Sequence, residues 1–319
     1  MSPCKPPPAA ATHCSGWDAA LPPYSVSAAW RHVGGSLMLP IHKLVWHEWR
    51  SAAPAPRVPE PSEAMVDPGQ IRAYVKAYEW GGPTSALQLH HLTRLSTLIR
   101  PGDTVLDLAC GPGPLLLELA PLFPDCRFIG ADLSPPMLDA LAEQCRERGI
   151  RNIETLCADI RELPGIDAGA VNVVISTSAL HHLPDLDCLE QVFARAEHVL
   201  AADGAVYFFD FGLVRSQHTR DLLVAEVARK APPVTAVDYA HSLRAAFPID
   251  AVIGAARRQF RRPLRATSSR FVDFFYFISS PDRCPPSPVV EAYVRAMRAR
   301  CDAGVRLEET MLRRLQALR

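Results

Sequence analysis

Short apolar runs alternate with amphipathic stretches from about residue 104 onward. Thr104–Leu108, Arg127–Ala131, Ile153–Cys157, Val171–Ser176 and Ala205–Phe211 are runs of this kind, each bounded by turn residues, and each predicts a strand. Between them the apolar spacing becomes that of a helix, over Pro135–Arg148 and Leu186–Leu200. Ser134 precedes the first of these helices as an N-cap and Gly149 closes it. Strand–helix alternation at this spacing predicts an α/β fold, a parallel sheet with helices on both faces. Ligands of such sheets bind at the carboxyl ends of the strands, where Asp107, Asp132, Asp159 and Ser176 fall.

After Phe211 the pattern is irregular over Gly212–Val237 and then predicts a helix over Tyr239–Arg258. Strand-like runs over Phe260–Thr267 and Phe271–Ser279 bring the expected sheet to seven strands, and a last helical segment covers Val289–Leu318. Ahead of the sheet, Asp67-Pro68 starts a helix with Asp as N-cap, and Ile71, Tyr74, Val75 and Tyr78 form its stripe. A second helix runs over Thr84–Ile99. From Pro40 to Arg50, Ile41, Leu44, Val45 and Trp49 recur at helical spacing, so a short amphipathic helix docked on the domain is expected. The Pro-rich linker APAPRVPEPSE follows it. Residues 1–35, rich in Pro and Ala, read as a mobile tail, and Met38 is an alternative translation start. The expected organisation is a tail over 1–35, a helix and linker over 36–66, a central domain over 67–282 and a C-terminal helical extension over 283–319.

Composition narrows the class. Hydrophobic residues make up 48% of 319, enough for a full core, yet no run of eighteen apolar residues exists. The N-terminus lacks a continuous apolar segment, which argues against a secretory signal. Nine scattered cysteines without a C-x-x-C pair fit reduced thiols in a cytoplasm. Net charge is zero, but Arg257–Arg319 holds fourteen arginines against six acids. That excess predicts a solvated face or a contact with the acidic body before it predicts an anionic ligand.

The stretch VLDLACGPGPLLLELA, Val105–Ala120, carries the chemistry. It reads as a buried strand containing Asp107, a turn through Gly111 and Gly113, and a helix opened by Pro114. Such a turn lets a ligand lie against bare backbone at a helix N-terminus. Asp132 ends the next strand, where a ribose-binding carboxylate belongs. Two acids around one glycine turn suit a nucleoside that also carries an ammonium group, and S-adenosylmethionine is such a ligand. NAD is disfavoured, because Leu116 stands at the third glycine position and Asp107 would face a pyrophosphate.

These segments together resemble the class I S-adenosylmethionine-dependent methyltransferases. DLACGPG is similar to their first motif, GADLSPPML to the second and CADI to the third. ISTSALHHLPD resembles the segment after the fourth strand of small-molecule members, and VLAADGAVYFFDF their fifth strand. The resemblance covers about Asp67 to Ser279. It implies a Rossmann-like sheet, mostly parallel and seven-stranded, with helical extensions at both ends. It implies that Ala109, Cys110, Gly111 and Gly113 approach the cofactor backbone-first, and that Asp107 meets the methionine ammonium. Asp132 would accept from both ribose hydroxyls, with Leu133 against the adenine. Asp159 would accept from the adenine amino group, with Ile160 against the ring. Ser176 and Thr177 would border the methionine part, and Tyr74 would fold over the cofactor.

His181 and His182 are the catalytic candidates, as a general base or as groups that orient the substrate. The alternative is a plain pocket wall. No acid or cysteine falls at ligand spacing with them, so no metal is expected. The implied activity is methyl transfer to a small-molecule O, N, C or S acceptor. STSALHH in place of an NPPY-like motif disfavours amino methylation of DNA bases, and no RNA-binding module accompanies the arginines. The terminal helices offer a homodimer contact or a lid. A silent scaffold of the same fold and an NAD-dependent oxidoreductase are the rival readings.

Overall fold

The computed structural model describes residues 41–51, 56–229, 231, 233–314 and 316–318. The expected tail over 1–35 and the alternative start at Met38 lie outside the described residues. One eight-stranded sheet organises the chain. Its first five strands are β1 (Thr104–Leu108), β2 (Arg127–Asp132), β3 (Ile153–Cys157), β4 (Val171–Thr177) and β5 (Leu200–Phe211). β6 (Arg265–Ser269), β7 (Phe275–Ser279) and β8 (Gln316–Leu318) complete it. The spatial order is β3-β2-β1-β4-β5-β7-β6-β8. The first five strands pair in parallel, and β7 enters antiparallel beside β5. The seven expected strands are present, and β8 adds a three-residue edge.

Side-chain alternation along the strands divides the core in two. Val105, Val173, Ile175, Tyr207 and Phe209 pack on one face, under α3 (Ser85–Leu95) and α4 (Pro114–Leu122). Leu106, Leu108, Val174, Val206 and Phe208 pack on the other, under α6 (Leu186–Val199) and α9 (Ile249–Gln259). Burial on both faces explains why these strands read as continuous apolar runs. α5 (Pro135–Arg148) ends at Gly149 with φ 68°, the left-handed stop that the sequence predicts.

Three expected boundaries are corrected. The helix predicted over Tyr239–Arg258 is two helices, α8 (Pro233–Ala245) and α9, split at Pro248. Proline disfavours helical geometry in the residue before it, here Phe247. The final segment also divides, into α10 (Pro288–Arg300) and α11 (Ala303–Arg314), because the Asp302 carboxylate accepts from the Val305 N–H at 2.8 Å and starts a new helix. The irregular stretch Gly212–Val237 contains α7 (Gln217–Ala228).

The segments flanking the sheet are docked on it. α1 (Ile41–Arg50) lies on α7 through buried Leu44, and buried Glu48 accepts from the backbone N–H groups of Arg215 and Ser216 at the entry to α7. Trp49, expected on the buried stripe, is 79% exposed. Val290, Tyr293 and Met297 of α10 join the core under α3 and α4. There Trp80 Nε1 and the Tyr293 hydroxyl both donate to Glu118, a buried α4 carboxyl pushed up by desolvation. The C-terminal arginines meet the body's acids: Arg283 pairs with Asp103 at 2.6 Å, Arg262 with Glu197 at 2.9 Å and Arg258 with Glu190 at 2.5 Å. No helix among the described residues is long and apolar enough to cross a membrane.

Candidate active site

At the carboxyl end of β1 the chain turns sharply. Ala109, Gly111 and Gly113 have φ of 52°, 55° and 65°. Two of these positions require glycine for different reasons. A Cβ on Gly113 would lie 2.4 Å from Leu141, so the glycine lets α5 pack close to the turn. A Cβ on Gly111 would make only ordinary contacts, with Tyr74 at 3.9 Å and Met137 at 4.0 Å, so it is the left-handed φ that favours glycine there. The Gly111 backbone lines the cleft. The Cys110 thiol turns away from the pocket into the core, where Gly130 makes room for it.

Asp107 and Asp132 flank this turn. Asp107 is 3% exposed, and its Oδ1 is buried with no partner among the described residues. Burial and the neighbouring Asp132 charge push its carboxyl well above the ordinary range. Asp132 accepts from the Gly111 N–H at 2.8 Å through one oxygen and from the Ser134 N–H at 2.8 Å through the other. Burial raises its carboxyl too, opposed by these backbone bonds. The carboxylate therefore ties the glycine turn to the end of β2, and its remaining lone pairs stay free for a ligand.

A cleft runs from this turn across the strand ends. Leu133, Met137, Asp159 and Ile160 line it, together with Tyr74, Ser178, Ala179 and His182. Asp159 is held by its own loop. Arg161 donates to it through Nε at 2.8 Å and through a terminal nitrogen at 2.6 Å, and the bonds keep its carboxyl low. Tyr74, on α2 (Pro68–Ala77), and Tyr78, at the end of that helix, have ring centroids 4.9 Å apart with planes tilted by 31°, and their hydroxyls lie 3.3 Å apart.

Two predicted positions fall elsewhere. Ser176 is fully buried and donates to the Leu108 carbonyl at 2.9 Å, fastening β4 to β1. Thr177 is still the last residue of β4. The strand turns only at Ser178, whose φ is 55°, so Ser178 and Ala179 form the wall that Ser176 and Thr177 were expected to form.

The histidine pair sits in a short 3₁₀ turn, Leu180–His182, and His182 lines the cleft. His181 is 2% exposed and its Nδ1 lies 2.7 Å from Asp210 Oδ1. Asp210, near the end of β5, also accepts from the backbone N–H groups of His181 at 2.9 Å and Phe211 at 2.7 Å. The rings of His181 and His182 lie 4.5 Å apart. Burial, then the His181 ring, pushes His182 down to about 3, so its ring is neutral at physiological pH.

One whole element of the site escapes the sequence reading. Residues 56–66, expected as a passive linker, form a strap across the cleft. The Arg57 guanidinium donates to the carbonyls of Ala245 at 2.7 Å, His181 at 3.1 Å, and Leu183 and Pro184, and lies 3.8 Å over the Phe247 ring. Glu63, Ala64 and Met65 then roof the pocket. Glu63 pairs with Arg161 at 3.2 Å, and Ser134 donates to the Met65 carbonyl. Glu60 places an oxygen 3.9 Å from His181 Nε2. The expectation of no metal rested on the absence of a nearby acid, and the fold corrects that premise: ligand atoms of Glu60, His181 and His182 lie within 4.8 Å of one another. The visible signal in the sequence is the placing of Arg57, Glu60 and Glu63 among prolines.

The chemistry of this donor set fits S-adenosylmethionine. A buried, unpartnered carboxylate oxygen suits an ammonium, and the Gly111 backbone lining the cleft suits a ligand that lies close to it. A pH dependence follows. Asp107 holds its proton to higher pH when the cleft is free, and an ammonium beside it would displace that proton. Affinity for S-adenosylmethionine is therefore expected to rise with pH as Asp107 ionises, above the ordinary carboxylate range. The ionised carboxyl also costs the ligand-free fold stability, a cost absent below the ordinary carboxylate range and complete above the raised value. Calorimetry in buffers of different ionisation heat checks this: proton release in the native chain, and none in Asp107→Asn.

Comparison with known proteins agrees. Residues 105–204 match the family described as a methyltransferase domain. The chain is 32% identical over 108 residues to the nocamycin O-methyltransferase of Saccharothrix syringae, covering 34% of this chain and 37% of that protein. It is 38% identical over 110 residues to the malonyl-[acyl-carrier protein] O-methyltransferase of Geobacter sulfurreducens, covering 34% and 38%. These matches span under two fifths of either relative's length. A candidate O-methyltransferase from Nostoc punctiforme shares the fold, with 18% identity, a TM-score of 0.50, and coverage of 74% of this chain and 67% of that one. Over residues 105–204 the chain is thus similar to a methyltransferase domain of the class I S-adenosylmethionine-dependent kind.

Proposed function

We propose that this protein transfers a methyl group from S-adenosylmethionine to a small-molecule acceptor held at the His181–Asp210 end of the cleft. The observation that carries the reading is the buried, unpartnered Asp107 oxygen on the strand that leads into the left-handed Gly111 turn lining the cleft. S-adenosylmethionine, when bound, supplies an activated methyl group on a sulfonium leaving group. The residues of the chain do the rest. Asp107 receives the ammonium, and Asp132 offers its free lone pairs to the ribose. Leu133, Met137 and Ile160 enclose an adenine, and Asp159 is the acceptor for its amino group. Tyr74 and Tyr78 exclude water beside the sulfonium and present π faces to a cation. His181 and His182 act on the acceptor. Each offers an imidazole lone pair at the end of the cleft, and Asp210 fixes the His181 ring. Alignment and removal of water supply most of the rate in such displacements.

Titration calorimetry of the full chain with S-adenosylmethionine, S-adenosylhomocysteine and NAD tests the reading. Stoichiometric binding of both adenosyl ligands and none of NAD is expected. NAD binding, or no binding of any of the three, overturns it.

A further inference from the structure

Two unpartnered imidazole nitrogens and a carboxylate converge beside the cleft. Asp210 can only accept, so the ring nitrogen facing it, His181 Nδ1, carries a hydrogen. In the neutral ring, His181 Nε2 is then a lone pair. It is buried and has no partner among the described residues. His182 Nδ1 is likewise buried and without a partner. The Glu60 carboxylate completes the set, 3.9 Å from His181 Nε2. Buried acceptors left without donors are costly and call for an occupant. A hydroxyl can give its one hydrogen to only one of the three, whereas a cation satisfies all of them.

We propose that Glu60, His181 and His182 bind one divalent transition-metal ion of the zinc, cobalt or nickel kind. The geometry is close to what such an ion needs. The three ligand atoms lie within 4.8 Å of one another. Tetrahedral metal–ligand bonds of about 2.0–2.2 Å place ligand atoms about 3.4 Å apart, so binding draws the widest pair together by about 1.4 Å. Outer partners are already in place. Asp210 backs the His181 ring at 2.7 Å, and Ser242 donates to Glu60 at 3.1 Å. A carboxylate behind a ligating histidine fixes its tautomer and raises its basicity. Two imidazoles and one carboxylate favour these metals over magnesium or calcium. Three protein ligands leave a fourth position open, and His182 lines the cleft on that side. An acceptor oxygen placed there would be polarised toward loss of its proton. This use of the site rests on the methyl-transfer reading; the binding of the ion does not.

The test uses the full chain after chelator treatment, titrated with cobalt(II) chloride and then zinc chloride by calorimetry and visible absorption. One equivalent of each metal is expected to bind. Glu60→Gln and His182→Ala are each expected to weaken binding at least about tenfold, and Asp210→Asn by about 10–100-fold. Absence of stoichiometric binding overturns the proposal. Binding that Glu60→Gln and His182→Ala leave unchanged also overturns it, because the ion then sits elsewhere. Titration of the same samples with S-adenosylhomocysteine keeps the two readings apart. Loss of that binding in the native chain counts against methyl transfer, while loss of metal binding alone counts against the metal site.

Discussion

Asp132→Ala is expected to weaken S-adenosylmethionine binding by at least about 100-fold. The carboxylate has two tasks in this fold. It accepts from Gly111 and Ser134, holding the glycine turn against the end of β2, and its free lone pairs face the cleft. Removing it takes a charge-assisted acceptor from the ribose and leaves two backbone N–H groups without their partner. Hydrogen bonds to charged groups contribute about 1.5–3 kcal/mol each, so losing two ribose bonds alone accounts for the expected factor. The fold is expected to survive with a lower melting temperature, since β2 pairs with β1 over five residues and both strands are largely buried. Calorimetric affinity and a thermal melt on the same sample check both parts. An unchanged affinity would remove Asp132 from the cofactor site.

His181→Ala is expected to lower turnover by about 10²–10⁴-fold, the usual worth of a positioned imidazole. Affinity for S-adenosylhomocysteine should stay within a few-fold of the native value, because the cofactor contacts lie around Gly111, Asp132 and Ile160. The variant has a structural reason to fold. Asp210 keeps its backbone donor from Phe211 and the N–H of residue 181 itself. His182→Ala is expected to cost less, having no carboxylate behind its ring. The measurement is the rate of S-adenosylhomocysteine formation on the acceptor, beside the calorimetric affinity. Equal losses in both would make His181 a residue of the fold instead of the reaction.

What was legible in the sequence was what the chain encodes locally. The glycine turn, the acids after β2 and β3 and the histidine pair are each set by a few neighbouring residues, and all lie where the strand ends put them. Ser176 was misplaced because β4 runs through Thr177 and turns only at the left-handed Ser178, a detail that apolar patterning does not mark. The break at Pro248 was written in the sequence, but helical spacing continued across it. The partnership of Asp210 with His181 and the roof formed by residues 56–66 were invisible, because both join segments distant in sequence. Prolines told against a helix in the strap without telling where an extended chain would lie.

The four carbonyls that hold Arg57 follow it by 124 to 188 residues. During synthesis, then, the first part of the cleft to leave the ribosome is the last that can be completed. The floor can form once β1 to β5 have paired, and by then three of the four carbonyls have emerged, so only the last grip waits for Ala245. A chain arrested before that point would carry a cover held without its anchor on α8.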